Sequence, residues 1–579
     1  MEQASRRVDI YYNLNYIKIM RFKRALPLIF LVIAALALRV AGIKLGLPSE
    51  TGGLATLHGD ESMTFHSLGN MNPSKLDFYP GDTISWGTFH VYSIGALIKT
   101  LDLAGVIELG DRQKLQDNLG EVDKMYLAAR AFSALFGVLS IVALYFIGCL
   151  FLSERAALFS AILMAFSLAP VMISYLVKPD TTMLFWGLIS VYFSFKLLRE
   201  PSTANYFLAG SFLGLAFITK LSAALLGFFP FAAHFYHVYA ARNPFFGFKK
   251  FSILTVSGLA VYLILNPYLI LRFSDELKWM SIVFSCGSVG ANSGGSLLEV
   301  YAAYFLSVLP AAFGWALVPF ALAAVARWFR GPSYEKKISA VYCALFIAWS
   351  GATPFTNVHY ALLVAPFLFL AAGDLAHRLF NKRWGKLLVI AVFAQVLLYT
   401  LYIKRNYVSS YTTKEADTWI RENVPEGSTI AISRNDFWMP RVIRRRSGSF
   451  KLLEGGAPQG MLPQAIVELG NIYSKADYVI ISEYEYAGLQ SAPKEFPAEN
   501  AALEKIFSGT KEVKRFEHRL PLYILPFQSK SHGYQPAAGL QVNFMNPGML
   551  VLKVIPPPGQ AAKAASSAGG RPGGGIIKK

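Results

Sequence analysis

Runs of about 20 apolar residues, the length that crosses a bilayer as a helix, recur between residues 25 and 403 of this chain and then stop. A helix pairs every interior backbone donor and acceptor within itself, so it can lie in hydrocarbon where loops and open sheet edges cannot. The composition agrees, with 16% charged residues and 54% hydrophobic ones, against about 25% charged in an ordinary soluble domain. We place spans at about residues 25–43, 127–150, 156–176, 181–198, 205–219, 221–240, 251–268, 300–326, 338–353, 359–376 and 385–403. The expectation is an α-helical polytopic membrane protein of about eleven spans; the two beside Lys220 are short. A basic flank precedes the first run and no A-x-A-like cleavage site follows it, so that run reads as an uncleaved span.

The formal net charge of +19 could suggest a nucleic-acid partner, but the basic residues sit in short loops between apolar runs. With the N-terminus in the cytoplasm, Arg24, Arg155, Lys196, Arg199, Lys249, Lys250, Arg327, Lys336, Arg378 and Lys382 share the inner face, which obeys the positive-inside rule. Eleven spans then carry the C-terminal region outside, as a multi-pass protein of the cell (inner) membrane. The expected organisation is a cytoplasmic segment 1–24, a transmembrane domain 25–406 with an outer loop 44–126, an extracytoplasmic α/β domain 407–556 and a disordered Gly-, Pro- and Ala-rich tail 557–579. Within the third part, "TTKEADTWIRENVPEGS" reads as a helix ending at Pro425 and "TIAIS" as a strand. "ADYVIISEY" reads as a strand, "NAALEKIF" as a helix and "RLPLYILPF" as a strand. Cys149, Cys286 and Cys343 have neither disulfide-framework nor zinc-type spacing.

Ionisable groups at membrane depth are costly and usually line a cavity or a pathway. Four outer-side stretches keep them: "HGDES", "YLVKPDTTMLFW", "FITKLSAAL" and "VHYALLVAPF". Asp60 and Glu61 are adjacent, so they do not share a helix face and do not form one acid/base unit; either could instead be a helix-start acid in the dipole field. Asp180 follows Pro179 at another helix start, and Lys178 could simply snorkel to the interface. Lys220 lies between two short apolar segments, where a cation must find water, a phosphate or a carboxylate. Arg130 could bind an anion or mark the interface. His58, His66, His90 and His359 fall outside, without a spacing that supports a metal.

Taken in order, these segments resemble the C-type membrane glycosyltransferases, specifically the bacterial relatives of dolichyl-phosphate-mannose protein mannosyltransferases (family 39), which include the aminoarabinose transferases. The pieces that carry the resemblance are "GDES", "ARAFSALFGVLSIVALYFIGCLFLSERAALFSAILMAFSLAPVMISYLVKPDTTMLFW", "GLAFITKLSAALL", "LNPYLIL", "HYALLVAPFLFLAAG" and "ADTWIRENVPEGSTIAIS". The resemblance implies transfer of a sugar from a polyprenyl-phosphate-linked donor to an extracytoplasmic acceptor, a cell-envelope glycan, lipid or protein. By position it maps a catalytic aspartate onto Asp60 and a second aspartate onto Asp180. Transfer then needs a base for the acceptor hydroxyl, assigned to Asp60, with Glu61 and Asp180 as further carboxylates of the site. Lys178, Lys220 and Arg130 are the candidates to stabilise the leaving phosphate, and His58, Asn266, Tyr268 and His359 are candidates to line the site. No cofactor is certain, and a divalent metal is possible. The "WWDYG"-type segment of oligosaccharyltransferases and the repeated sugar-binding insert of eukaryotic protein mannosyltransferases are both missing from the sequence, which argues against a protein acceptor without excluding one. Two alternatives stand beside this reading: a transporter or flippase of lipid-linked saccharides, and a membrane sensor that binds a partner through its outer domain.

Overall fold

The computed structural model describes residues 25–555 except 82–85, 243, 279–280, 282–297, 299–300, 303, 353–357, 409–410, 434–439, 441–442, 444–447, 456–461, 492 and 518–545. The chain divides into two compact units, residues 1–409 with 520–545, and residues 410–519 with 546–579. The expected strand "RLPLYILPF", the cytoplasmic segment 1–24, the tail 557–579 and Cys286 lie outside the described residues.

The first unit is helical. Its helices are α1 (Ala25–Val40), α2 (Gly59–Asn70), α3 (Thr88–Leu103), α4 (Leu119–Phe151), α5 (Glu154–Phe166), α6 (Asp180–Leu197) and α7 (Thr203–Thr219). They are followed by α8 (Phe228–Ala241), α9 (Pro244–Leu265), α10 (Leu317–Phe329), α11 (Tyr334–Ala352), α12 (Ala365–Phe380) and α13 (Arg383–Val408). Serine caps start two of them: Ser153 accepts from the Ala156 amide and Ser202 from the Asn205 amide, each satisfying a first-turn donor left over by the helix.

Among the described residues, four helices are long and apolar enough to cross a membrane alone: Leu119–Phe151, Leu221–Tyr239, Gly247–Leu265 and Arg383–Arg405. Tyr304–Phe313 and Leu317–Phe329, bent by 104°, would together make a fifth. Several of the eleven expected spans are interrupted. The run 156–176 breaks at Ser167, which is extended (φ −73°, ψ 142°) and starts the short helix Leu168–Ile173. The run 300–326 bends at Gly314, whose φ of +90° suits glycine. The run 359–376 opens with the 3₁₀ turn Val358–Leu363 before α12. Hydropathy averages over such breaks, so it does not reveal them.

Helices α7 and α9 cross at backbone contact. Gly210 and Gly214 form a G-x-x-x-G pair whose added Cβ atoms would lie 2.1 Å from the Leu254 carbonyl oxygen and 2.3 Å from that of Gly258. Small residues of this kind let helices approach in lipid, where hydrophobic burial does not drive association. Large apolar side chains such as Phe30, Phe146, Phe207 and Ile264 stay exposed on the unit's surface, as a lipid-facing wall requires.

The second unit is a five-stranded mixed sheet of order β2-β1-β3-β5-β4. The strands are β1 (Thr429–Ser433), β2 (Lys451–Gly455), β3 (Tyr478–Ser482), β4 (Thr510–Phe516) and β5 (Met549–Val554). β1 runs parallel to β2 and β3, whereas β5 is antiparallel to β3 and β4. Side chains alternate across a strand, and here the alternation divides two cores. Ile430, Ile432, Ile480 and Val551 pack with Ala416 and Ile420 of α14 (Thr412–Asn423). Ala431, Val479, Ile481 and Leu552 pack with Ile466 of α15 (Leu462–Ile472) and with Leu503 and Ile506 of α16 (Pro497–Ser508). The expected α/β unit is present, with β2, β4 and β5 added to it.

Candidate active site

His58 caps α2, its Nδ1 accepting from the Asp60 amide at 3.2 Å. Burial pushes its imidazole down to about 4, with Asp60 and Lys178 acting in opposite senses, so at neutral pH the ring is uncharged and free to accept. Asp60 and Glu61 then occupy the first helical turn and point apart, as adjacency on a helix demands.

Glu61 points inward and is fully buried. Its Oε1 accepts from Arg130 Nε at 2.8 Å and from the Val177 amide at 3.0 Å. Its Oε2 accepts from Arg130 Nη2 and from Thr56 Oγ1, both at 2.6 Å. Arg130 is equally buried, and its Nη1 donates to the Ile43 and Leu45 carbonyls at 2.7 and 2.9 Å. This bidentate pair closes the base of the outer loop on α4. Burial opposes ionisation of Glu61, but Arg130 outweighs it and holds the carboxyl below the usual carboxylate range.

Asp60 points outward and keeps 52% of its side chain exposed. Its Oδ2 accepts from Lys178 Nζ at 2.7 Å. Burial of its surroundings would raise the carboxyl, but Lys178 and then His58 hold it well below the usual range. Lys178 is itself buried, with 5% of its side chain exposed, in the turn that links Leu168–Ile173 to α6. That turn also delivers Asp180, the first residue of α6, whose Oδ1 accepts from Lys220 Nζ at 2.8 Å. Asp180 Oδ2 and the hydroxyls of Thr181 and Thr182 are buried without a hydrogen-bond partner among the described residues. These three consecutive residues thus place polar atoms with unused bonding capacity beside the Asp180–Lys220 pair.

Lys220 sits where α7 ends, its backbone extended (φ −159°, ψ 130°). It forms a β-bridge with Trp86, and the Gly87 amide donates to the Thr219 carbonyl at 3.1 Å. A Cβ on Gly87 would fall 1.5 Å from the Ile218 carbonyl oxygen, so only glycine fits there. The Lys220 ammonium lies 5.7 Å from the Tyr360 ring centroid. His359 lies within electrostatic reach of Asp60, Lys178, Asp180 and Lys220, and His90 within reach of Asp180 and Lys220. Burial pushes the His90 imidazole down to about 3.

The structure therefore gathers Asp60, His58, Lys178, Asp180, Lys220 and His359, all of which the sequence singled out. It seals Glu61 and Arg130 into an ion pair behind them. Asn266 and Tyr268 bond elsewhere: Asn266 Nδ2 donates to Glu276 at 3.2 Å, and the Tyr268 hydroxyl accepts from the Phe78 amide at 2.7 Å and donates to Asp77 at 3.3 Å. Trp86 and Tyr360 join the site without having been chosen for it, and His90, considered from the sequence only as a metal ligand, joins them; the close Trp-Gly pair before α3 was the available signal for the first. Among the described residues no three His, Cys, Asp or Glu side chains are placed to hold a metal ion.

Residues 122–270, which include Arg130, Lys178, Asp180 and Lys220, match the family model described as dolichyl-phosphate-mannose-protein mannosyltransferase. Comparison with curated protein sequences gives no match. Solved structures similar to the chain include the oligosaccharyltransferase AglB of Archaeoglobus fulgidus in complex with an inhibitory peptide and a dolichol-phosphate. It is 14% identical, with a TM-score of 0.46 over 86% of this chain and 73% of that one. They also include ArnT of Cupriavidus metallidurans bound to undecaprenyl phosphate, 14% identical, with a TM-score of 0.42 over 80% of this chain and 94% of that one. The family match over residues 122–270 and the resemblance carried by the sequence point to the same group, the dolichyl-phosphate-mannose-protein mannosyltransferases, to which this stretch of the chain is similar.

Proposed function

We propose that this enzyme transfers a sugar from a polyprenyl-phosphate donor to a hydroxyl acceptor outside the cytoplasm, by a single inverting displacement with Asp60 as general base. The observation that carries this reading is the half-exposed carboxylate of Asp60 held on a buried lysine. It is the one acid of the site that an acceptor can reach, and its low pKa keeps it ionised. The acceptor oxygen attacks the anomeric carbon, its proton passes to Asp60, and the bond to the lipid phosphate breaks with its electron pair going to the phosphate oxygen.

Held by Lys178, Asp60 is a weak base. A donor phosphate brought to the Lys178 ammonium competes for that ion pair, and as Lys178 turns to the phosphate the basicity of Asp60 rises toward the range where a carboxylate is an effective base. The bound donor thus activates the base that attacks it. Lys178 and Lys220 stabilise the charge growing on the leaving phosphate in a partly dry site, where fixed cations act more strongly than in water. Asp180 keeps Lys220 ionised and in place. Glu61 and Arg130 have their bonding capacity largely consumed by each other and by backbone groups, so we assign them to holding the loop rather than to the reaction.

The test is transfer of label from polyprenyl-phosphate sugars by the purified chain in lipid. Asp60→Asn should lower turnover by at least about a hundredfold, the lower end of what a positioned base contributes, with thermal stability near wild type. Full activity in that variant removes Asp60 from the mechanism, and a product with retained anomeric configuration removes the single displacement.

A further inference from the structure

A second polar feature lies at the other end of the bundle. Helix α4 carries Arg130 about a third of the way along and ends at Phe151; at 1.5 Å per residue these are about 30 Å apart, close to the thickness of the hydrocarbon core. Around Phe151 the helices leave a cavity of about 670 Å³ lined by Arg327, Lys336, Asp374, Arg378 and Lys382. These come from α10, from α11, from α12 and from the turn that follows α12.

The cavity carries four cations and one carboxylate. Asp374 has 9% of its side chain exposed and sits against Lys336 Nζ at 2.9 Å and Arg378 Nε at 3.5 Å. It also accepts from Trp328 Nε1 at 2.9 Å. Its bonding is therefore consumed in fixing two of the cations. Arg327 and Lys382 make no ion pair or side-chain hydrogen bond among the described residues. A concave surface with this surplus draws an anion with several acceptor oxygens, for which guanidinium groups are well suited. Exposed aromatic side chains flank the cluster, Phe329 beside Arg330 and Trp384 beside Arg383, the latter 82% exposed. Tryptophan prefers the headgroup level of a bilayer, and basic pockets between helices at that level suit lipid phosphates.

We propose that this cavity is a phosphate-binding site for the headgroup of an anionic phospholipid, distinct from the transfer site and about one bilayer thickness away from it. Arg327 and Lys382 contact the phosphate, and Asp374 holds Lys336 and Arg378 in position to complete the cradle.

Native mass spectrometry of the detergent-purified full chain, titrated with phosphatidylglycerol or with phosphatidylcholine, tests this. Wild type should retain its tightest phosphatidylglycerol at least tenfold more strongly than phosphatidylcholine. The double variant Arg327→Gln/Lys382→Gln should lose that preference, and because both side chains are exposed and unbonded it should fold normally. Asp374→Asn, which frees the two cations it holds, should weaken binding independently. Unchanged phosphatidylglycerol preference in the double variant overturns the site. A parallel arm adds inorganic phosphate; displacement of phosphatidylglycerol by equal concentrations of free phosphate would assign the site to a soluble anion and overturn the lipid source.

Discussion

Glu61 and Asp60 are neighbours in the chain whose environments differ in the one respect that decides their roles, access to solvent. Removing one partner of a buried ion pair strands the other charge and costs about 3–5 kcal/mol, whereas an ion pair with an exposed partner contributes about 0–1 kcal/mol. Glu61→Gln should therefore lower the thermal midpoint of the purified protein substantially and Asp60→Asn less, because only Lys178 of that pair is buried and Asp180 stays within its electrostatic reach; equal midpoints would remove the loop-holding role of Glu61. The pH dependence follows from the direction of the shift. Arg130 holds the folded-state pKa of Glu61 below its unfolded value of about 4.3. Its stabilisation is thus fully present above that value and is lost as pH falls through the lower folded one. The midpoint gap between wild type and Glu61→Gln should stay constant from pH 5 to 8 and close only in stronger acid. The sequence made the divergence of the two acids legible, because adjacent helical residues cannot share a face. It could not say which acid was sealed, nor that Lys178 would meet Asp60 across 118 positions and Lys220 meet Asp180 across 40, because those pairings are set by how helices pack.

At the level of elements, the site depends on irregular backbone as much as on helices. The Trp86–Lys220 bridge stands where α7 stops, and it closes only because Gly87 has no side chain to strike the Ile218 carbonyl. Gly87→Ala should push the two segments apart and misplace the Lys220 ammonium, lowering transfer at least tenfold while the donor-independent helical content stays near wild type by circular dichroism. Retained transfer would show that the bridge does not position Lys220. Apolar lengths revealed where helices run, but the breaks at Ser167, Gly314 and Lys220 are single-residue decisions that hydropathy does not register. In the second unit, Glu485 lies buried between Ser433 and Ser482, accepting from the Ser482 amide at 2.6 Å. Burial pushes its carboxyl up to about 7. The folded state therefore binds a proton that the unfolded state has released, so stability falls as pH rises from about 4.3 to about 7 and levels off beyond. Glu485→Gln should flatten this part of the pH–stability curve of the full chain; an unchanged slope would place its origin elsewhere.

For the whole molecule, one long helix sets the geometry. α4 joins the Asp60–Lys178 region to the basic cavity at Phe151, so chemistry and positive charge lie at opposite ends of the bundle. A lipid-linked donor keeps its phosphate at an interface, which requires the two lysines of the site to stand at the mouth of the helices. On the proposed reading, the surplus of Arg and Lys at the far end faces the cytoplasm by the positive-inside rule, and the transfer site is expected outside. This arrangement can be tested without any substrate. In a background lacking the three native cysteines, a cysteine replacing Lys114 in the outer loop should react with a membrane-impermeant maleimide on intact cells. One replacing Lys337, at the basic end in α11, should react only after the membrane is opened. The converse pattern would put the transfer site in the cytoplasm, where water-soluble nucleotide sugars are available and a lipid-linked donor is no longer needed. It would thereby remove the physical argument for a polyprenyl-phosphate donor along with the topology.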